Sequence, residues 1–464
     1  MNNMNCGGPF NRRSFLQWGT LGVGGLSLAE VMRMRAAAGQ ASPAPDTSVL
    51  FVWLAGGPPH MDMYDMKPYA PEEYRGPFRP IETKVPGLEV CEHMPLHAKY
   101  ADKYTIIRSI AHTFNDHGGG SKRFMTGRIP ATPTETINDA PSVISIVAKM
   151  RERYELGLPN CVIAADGGRE SVHTYAQGPA YLGPKYNAFE VGGDPSKPNF
   201  EIRNVSLHKS LEGRLDDRMQ LLRGFDRLRR QVDSSGMMGA IDTFHEKAVN
   251  IMTRPLTREA FDLSQEPDSL RDRYGRNSWG QRALLARRLV ESGCSFVTCV
   301  LENPHLSDTF YNWDTHAVNH DNFIDMRRRL PLYDQVVTAL IEDLYARGLD
   351  KKVLLVVTGE FGRSPKISQA SGGPKGMRYG REHWPQAMSV LVSCGGVSHG
   401  QVIGSTNSKG EHPHDRELTP NDLWATVYKH LGINQHEALL DYTGRPQHLL
   451  PFGEPIRELA RGQA

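Results

Sequence analysis

SVLFVWLAGGPPHMDMYDMKP, Ser48 to Pro68, begins as an unbroken apolar run and turns at Gly56 and Gly57 into a stretch dense in His and Asp. A short run rich in β-branched and aromatic residues, bounded by turn residues, predicts a strand buried on both faces. The same pattern recurs at Tyr104–Ile110, Cys161–Ala164, Ser295–Val300, Val353–Thr358 and Ala387–Ser393. Between these runs, helical patterns cover Pro141–Tyr154, Leu211–Val232, Ala240–Met252, Ser278–Ser292, Asn322–Arg347 and Pro420–Leu431. Strands alternating with helices predict a largely parallel sheet covered on both faces. The expected organisation is a single α/β domain over residues 46–464, with a helical insertion at about 205–290.

The N-terminus reads as an address. Asn11-Arg12-Arg13-Ser14-Phe15-Leu16 is a twin-arginine pattern, followed by a weakly apolar, glycine-rich run and by small residues at Ala36–Ala38 and Ala41. That run is too short to span a bilayer. A signal peptide of residues 1–41, and a periplasmic or extracellular mature protein, are expected. Its removal takes four arginines and one glutamate, so the formal charge goes from +2 to −1. A near-neutral chain makes no electrostatic case for nucleic acid. The charged stretch Leu211–Arg230 intersperses both signs, as a solvated helix face does. Five cysteines remain, widely spread and without a CxxC pair, which excludes a zinc-cluster or disulfide framework and predicts buried thiols.

In open α/β sheets, ligand groups collect beyond the carboxyl ends of strands. After the first strand come His60, Asp62 and Asp65. After the second come Asp116, His117 and the run Gly118–Gly120, then Lys122 and Arg123, which would suit an anion at a helix N-terminus. The densest cluster is NWDTHAVNHDNF, with Asp314, His316, His320 and Asp321 within eight positions. Carboxylate and imidazole at this spacing suit a divalent cation. TGEFGRSP supplies Glu360 and Arg363 at the end of the Val353–Thr358 run, and GREHWP brings Arg381, Glu382 and His383 just before the next strand. Arg363 is of the type that binds anions in a bidentate fashion. His399, His412 and His414 lie in a polar segment and read as an exposed loop or as substrate contacts, not as core ligands.

With these residues in view, the chain resembles the secreted bacterial family called domain of unknown function 1501, which is similar to the sulfatase and alkaline-phosphatase superfamily. The twin-arginine leader, WLAGGPPHMDMYDMKP, DHGGGSKRFMTGR, WDTHAVNH, TGEFGRSP and GREHWP carry the resemblance, in order along nearly the whole chain. It implies an alkaline-phosphatase-like three-layer sandwich and a site for one or two divalent ions such as Zn, Mn or Ca. Carried over residue by residue, the metal set is Asp62, with His60 and Asp65 as alternatives, then Asp314, His316, Glu360 and His383, with His320 competing for the imidazole role.

Two departures from the superfamily pattern stand out. Phe361 follows Glu360 where a histidine is usual. Counting nine positions back from Thr126 lands on His117, where the superfamily carries a Ser, Thr or Cys nucleophile. The ranking for His117 is metal ligand first, general acid or base second, nucleophile third. The expectation is an exported metal-dependent hydrolase of phosphate or sulfate esters, with Lys122, Arg123 or Arg363 holding an anionic substrate. The alternative is a noncatalytic protein binding anions or sulfated polysaccharide on the same fold.

Overall fold

The structure is a computed structural model, and it describes residues 46–134, 137–152, 158–166, 174–198, 200, 255–304, 312–372 and 376–460. The expected leader, and the helices at Leu211–Val232 and Ala240–Met252, lie outside the described residues. Within the expected insertion, residues 255–290 are helical in part, at Pro255–Phe261, Asp268–Tyr274 and from Ser278 onward.

Eight strands form one central sheet. In chain order they are β1 (Ser48–Trp53), β2 (Tyr104–Ile110), β3 (Cys161–Ala165), β4 (Phe189–Gly192), β5 (Phe296–Val300), β6 (Val353–Thr358), β7 (Met388–Cys394) and β8 (Gln401–Ile403). Their order across the sheet is β8-β2-β7-β6-β1-β5-β3-β4. All run parallel except β7, which is antiparallel to both of its neighbours. All six strands read from the sequence are present, within a residue at each end.

β1 explains the continuous apolar pattern. Every one of its residues is buried, because helices cover both sides of the sheet. Leu50 and Val52 belong to one core layer, with α3 (Ser278–Glu291) and α4 (Asn322–Ala346). Val49, Phe51 and Trp53 belong to the other, with α1 (His117–Thr126), α2 (Val143–Met150) and α5 (Pro420–Leu431). On that second face Phe124 bridges Trp53 and Trp424, at ring separations of 5.6 and 5.5 Å. Each fully buried side chain of this size contributes about 1.5–3 kcal/mol. The result is the expected three-layer α/β/α sandwich.

Register fixes where the site is built. Trp53 at the end of β1 pairs with Val300 on one side and Thr358 on the other, so β1, β5 and β6 finish at the same level. Because β7 runs the other way, its beginning lies at that same edge, and the chain entering it brings in His383. Among the described residues no helix is long and apolar enough to cross a membrane. Cys91, Cys161, Cys294, Cys299 and Cys394 are free and buried, as expected.

Candidate metal centre

At the carboxyl edge, β1 continues through Leu54 and Ala55, and Ala55 O accepts from Trp313 N at 2.8 Å. This seats Asp314 against Gly56. A Cβ on Gly56 would stand 2.4 Å from Asp314 N, and the backbone there has φ +107°, so only glycine fits. The N–H of Gly56 donates to both oxygens of Glu360, at 3.0 and 3.1 Å.

The glycine run after the second strand has a related reason. Asp116 caps α1 by accepting from Gly119 N at 2.6 Å, and Gly127 ends the helix at φ +67°. A Cβ on Gly119 would meet Asp116 Oδ2 and Phe114 at 2.7 Å, and one on Gly120 would meet the Phe361 ring at 2.9 Å. These two glycines provide close packing around the helix start, and His117, its first residue, faces the cluster.

Four residues meet there: His117, Asp314, His316 and His383, with one ligand atom from each lying within 4.8 Å of all the others. His117 Nε2 is 3.0 Å from Asp314 Oδ2. His316 Nε2 and His383 Nε2 are 2.7 and 3.0 Å from Asp314 Oδ1, and 3.1 Å from each other. The opposite nitrogen of each ring is already committed. His117 Nδ1 donates to Glu360 Oε1 at 2.8 Å, His316 Nδ1 to Glu382 Oε2 at 2.5 Å, and His383 Nδ1 to the carbonyl of Asn115 at 2.7 Å.

A neutral imidazole has one N–H, so a ring that donates through Nδ1 presents a lone pair at Nε2. Lone pairs facing a carboxylate and one another call for positive charge, which without a metal comes from a proton on His117 and from Arg363, whose Nη1 lies 3.3 Å from His316 Nε2. Donor atoms about 2 Å from one ion at tetrahedral angles stand about 3.3 Å apart. The shortest spacings, 2.7 to 3.1 Å, are near that within a group whose atoms all lie within 4.8 Å of one another, and three imidazoles with one carboxylate are a donor set that suits zinc. The residues present therefore fit a divalent cation.

The electrostatics agree. Burial works against charge on His117, but hydrogen bonds to Asp314 and Glu360, with their negative charge, push it up to about 9. Burial also works against charge on Asp314, yet hydrogen bonds from the three histidines and the Arg363 charge hold its carboxyl far below the usual range. His383 is lowered, first by burial and then by the nearby Arg363 and His117 charges, against the opposing pull of Asp314.

The other expected site residues are placed as follows. Asp62 is wholly buried in a two-pronged pair with Arg381, Oδ1 to Nη2 and Oδ2 to Nε both at 2.9 Å, and also accepts from Asn322 Nδ2. His60 Nε2 lies 3.0 Å from Gly410 O, while Asp65 binds Lys67 at 2.9 Å and the Thr406 hydroxyl. None of these three joins the cluster, nor does His320. Glu360 stands behind His117 and does not join the group of four.

The cationic residues are also engaged. Lys122 is buried and donates to the carbonyls of Thr132 and Ile137 at 2.6 and 2.9 Å. Arg123 donates to Asn421 on α5 at 2.8 Å, and burial lowers it to about 10 despite the charge of Asp422. Neither belongs to the cluster of four. Arg363 does reach the site. Its Nη2 donates to Asp314 Oδ1 at 2.7 Å, and all three of its nitrogens serve backbone carbonyls, among them those of Gly57, Arg381 and Trp313. It holds Asp314 in place and has little left to offer a substrate. Phe361 is buried beside the cluster, with its ring 4.5 Å from that of His383 and 5.4 Å from that of His117.

Sequence reading passed over Glu382 and the Asn115 carbonyl as partners of the cluster's imidazoles. Nothing in the spacing links Glu382 to His316, 66 residues earlier.

A three-layer α/β sandwich carrying a His/Asp cluster at the carboxyl edge of its sheet is thus the class that fold and site define. Residues 46–460 match the family described as protein of unknown function (DUF1501), and the chain belongs to it. Comparison with curated proteins finds no match. Among solved structures, the chain is similar to the alkaline phosphatase from the Antarctic bacterium TAB5, at 11% identity and TM-score 0.36, covering 84% of this chain and 100% of that one. It is also similar to the C-terminal periplasmic domain of EcEptC from Escherichia coli, in complex with Zn, at 10% identity and TM-score 0.37, covering 85% and 84%. A third likeness is to the phosphonate monoester hydrolase SpPMH from Silicibacter pomeroyi, at 13% identity and TM-score 0.34, covering 90% and 77%. At this level of overlap, likeness says nothing about what this chain binds.

Proposed function

We propose that the chain is an exported, divalent-metal-dependent hydrolase of phosphate or sulfate esters, with one ion held by His117, Asp314, His316 and His383. The observation that carries the reading is the convergence of three imidazole Nε2 atoms on Asp314 while each Nδ1 is spent elsewhere. With the three imidazoles neutral, as a metal would require, the carboxylates of Asp314, Glu360 and Glu382 outnumber the guanidinium of Arg363 by two charges, which a divalent cation neutralises. The ester class rests on the resemblance carried by the motifs, and export rests on the twin-arginine leader.

A bound divalent ion supplies Lewis acidity and lowers the pKa of water. The residues of the chain do the rest by positioning. Asp314, held ionised by its neighbours, keeps its oxygens for a cation instead of a proton. Arg363 pins that carboxylate, and Glu360 orients His117. With Lys122 and Arg123 engaged elsewhere and Arg363 committed to Asp314 and backbone carbonyls, a bound ion would be the positive charge open to an anionic ester. His117 occupies the nucleophile position as a ligand, and this favours direct attack by water over a covalent intermediate.

The test is elemental mass spectrometry of the mature protein, followed by aryl phosphate and aryl sulfate hydrolysis before chelation, after it, and after metal is restored. About one zinc or manganese per chain with activity that follows the metal is expected. A metal-free protein under metal-replete conditions overturns the reading, and a metal-bound protein that turns over no ester leaves the binding-protein alternative.

A further inference from the structure

We infer that Glu382 is a positioning residue for the metal centre, acting through His316, and that Ser368 holds it in place. The inference rests on the one-ion reading above and extends it to a residue that touches no ion.

Glu382 is held on every side. Its Oε2 accepts from His316 Nδ1 at 2.5 Å and its Oε1 accepts from the Ser368 hydroxyl at 2.9 Å. Its backbone N–H donates to Ser364 Oγ at 2.9 Å, and its carbonyl accepts from Ser364 N at 2.7 Å. Yet its side chain is 50% exposed, so neither core packing nor burial accounts for this fixation. What the fixation achieves is the state of one ring. With Nδ1–H donated to the carboxylate, His316 is locked in the tautomer that presents Nε2 to Asp314 and His383, and a charged acceptor makes that nitrogen a stronger donor.

Ser368 adds a second link. It begins the strand Ser368–Ser371, which pairs antiparallel with Met377–Gly380, and its hydroxyl also lies 3.1 Å from Gly380 O. The outer hairpin is thereby tied to the ring of a proposed ligand through one carboxylate.

The experiment is a zinc titration against a competing chelator, on wild type, Glu382→Ala, Glu382→Gln and Ser368→Ala, beside the absorption spectrum of the cobalt-substituted proteins. Glu382→Ala should bind zinc about 10- to 100-fold more weakly and shift the cobalt bands. Glu382→Gln, whose amide oxygen still accepts from Nδ1–H, should recover most of the loss. Ser368→Ala should weaken zinc by a few-fold. Melting of the chelated proteins should be nearly unchanged, since the side chain is half exposed. If wild type binds zinc and Glu382→Ala binds it equally with the same cobalt spectrum, this inference fails and the one-ion reading stands. If wild type binds no metal, both fail.

Discussion

His117 Nε2 lies 3.0 Å from Asp314 Oδ2, so the ring that begins α1 and the carboxylate that follows β5 close the cluster from opposite sides. In protein stripped of metal this pair is a proton-linked clasp. His117 is raised to about 9 from an ordinary 6.5, so its contribution to stability is present in full below pH 6.5 and is lost as pH rises toward 9. The amount is on the order of 3 kcal/mol. Asp314, shifted down, and His383, also shifted down, titrate below that window and do not reverse the sign. Metal-loaded protein should behave oppositely, because protons compete with the cation for the same donors. Urea denaturation between pH 6.5 and 8.5 should therefore give falling stability for the chelated protein and level or rising stability for the zinc form. His117→Ala should lose the difference; parallel slopes in both forms would remove the clasp.

Asp62 offers a separation of fold from site. Its pairing with Arg381 is fully buried, and removing one partner strands the other charge. Asp62→Ala should cost on the order of 3–5 kcal/mol. Metal bound per folded chain should not change. His383→Ala should show the reverse, with metal lost and little stability lost in the chelated form. Loss of metal from well-folded Asp62→Ala would restore Asp62 to the ligand set.

Much of the sheet was legible because central strands, buried on both faces, write themselves as unbroken apolar runs. The two strands of the central sheet that sequence reading missed, Phe189–Gly192 and Gln401–Ile403, are its two edges. Each has one neighbour and keeps exposed or half-exposed residues, so its composition carries no such signal. The site divides in a similar way. Asp314, His316 and His383 were legible because strand order brings their loops to one edge. Asp62 has the same residue type and an equally suitable place after a strand, but its partner Arg381 lies 319 positions away, which no local pattern reveals. Glu360 was legible as a strand-end residue, though its position behind His117 depends on the turn at Gly56.

Lys122 separates an anion clamp from a structural cation. Its ammonium is enclosed and donates to two carbonyls in the segment that follows α1. Lys122→Met removes two charge-assisted hydrogen bonds to part-buried carbonyls, so about 2–4 kcal/mol of stability should be lost. Inhibition by inorganic phosphate and the KM for an aryl ester should stay within about twofold of wild type. A tenfold rise in KM in a folded variant would place Lys122 in the substrate site after all.

Phe361 is the wall against which two of the proposed ligands rest. Its ring lies 4.5 Å from His383 and 5.4 Å from His117, and glycine at positions 57 and 120 leaves it room, since a Cβ at either would come within 2.6 and 2.9 Å of it. Phe361→Ala empties that space and should cost about 3–5 kcal/mol. Phe361→Leu refills most of it and should cost less than about 2 kcal/mol. Because the wall limits how far the two imidazoles can swing, zinc affinity should fall in the alanine variant and largely return in the leucine variant, with stoichiometry near one throughout. Denaturation midpoints and a chelator-competition titration on the same samples check both halves. A stability loss without any change in zinc affinity would mean that the hydrogen bonds from Nδ1 to Glu360 and Asn115 fix the two rings without help from the aromatic side chain.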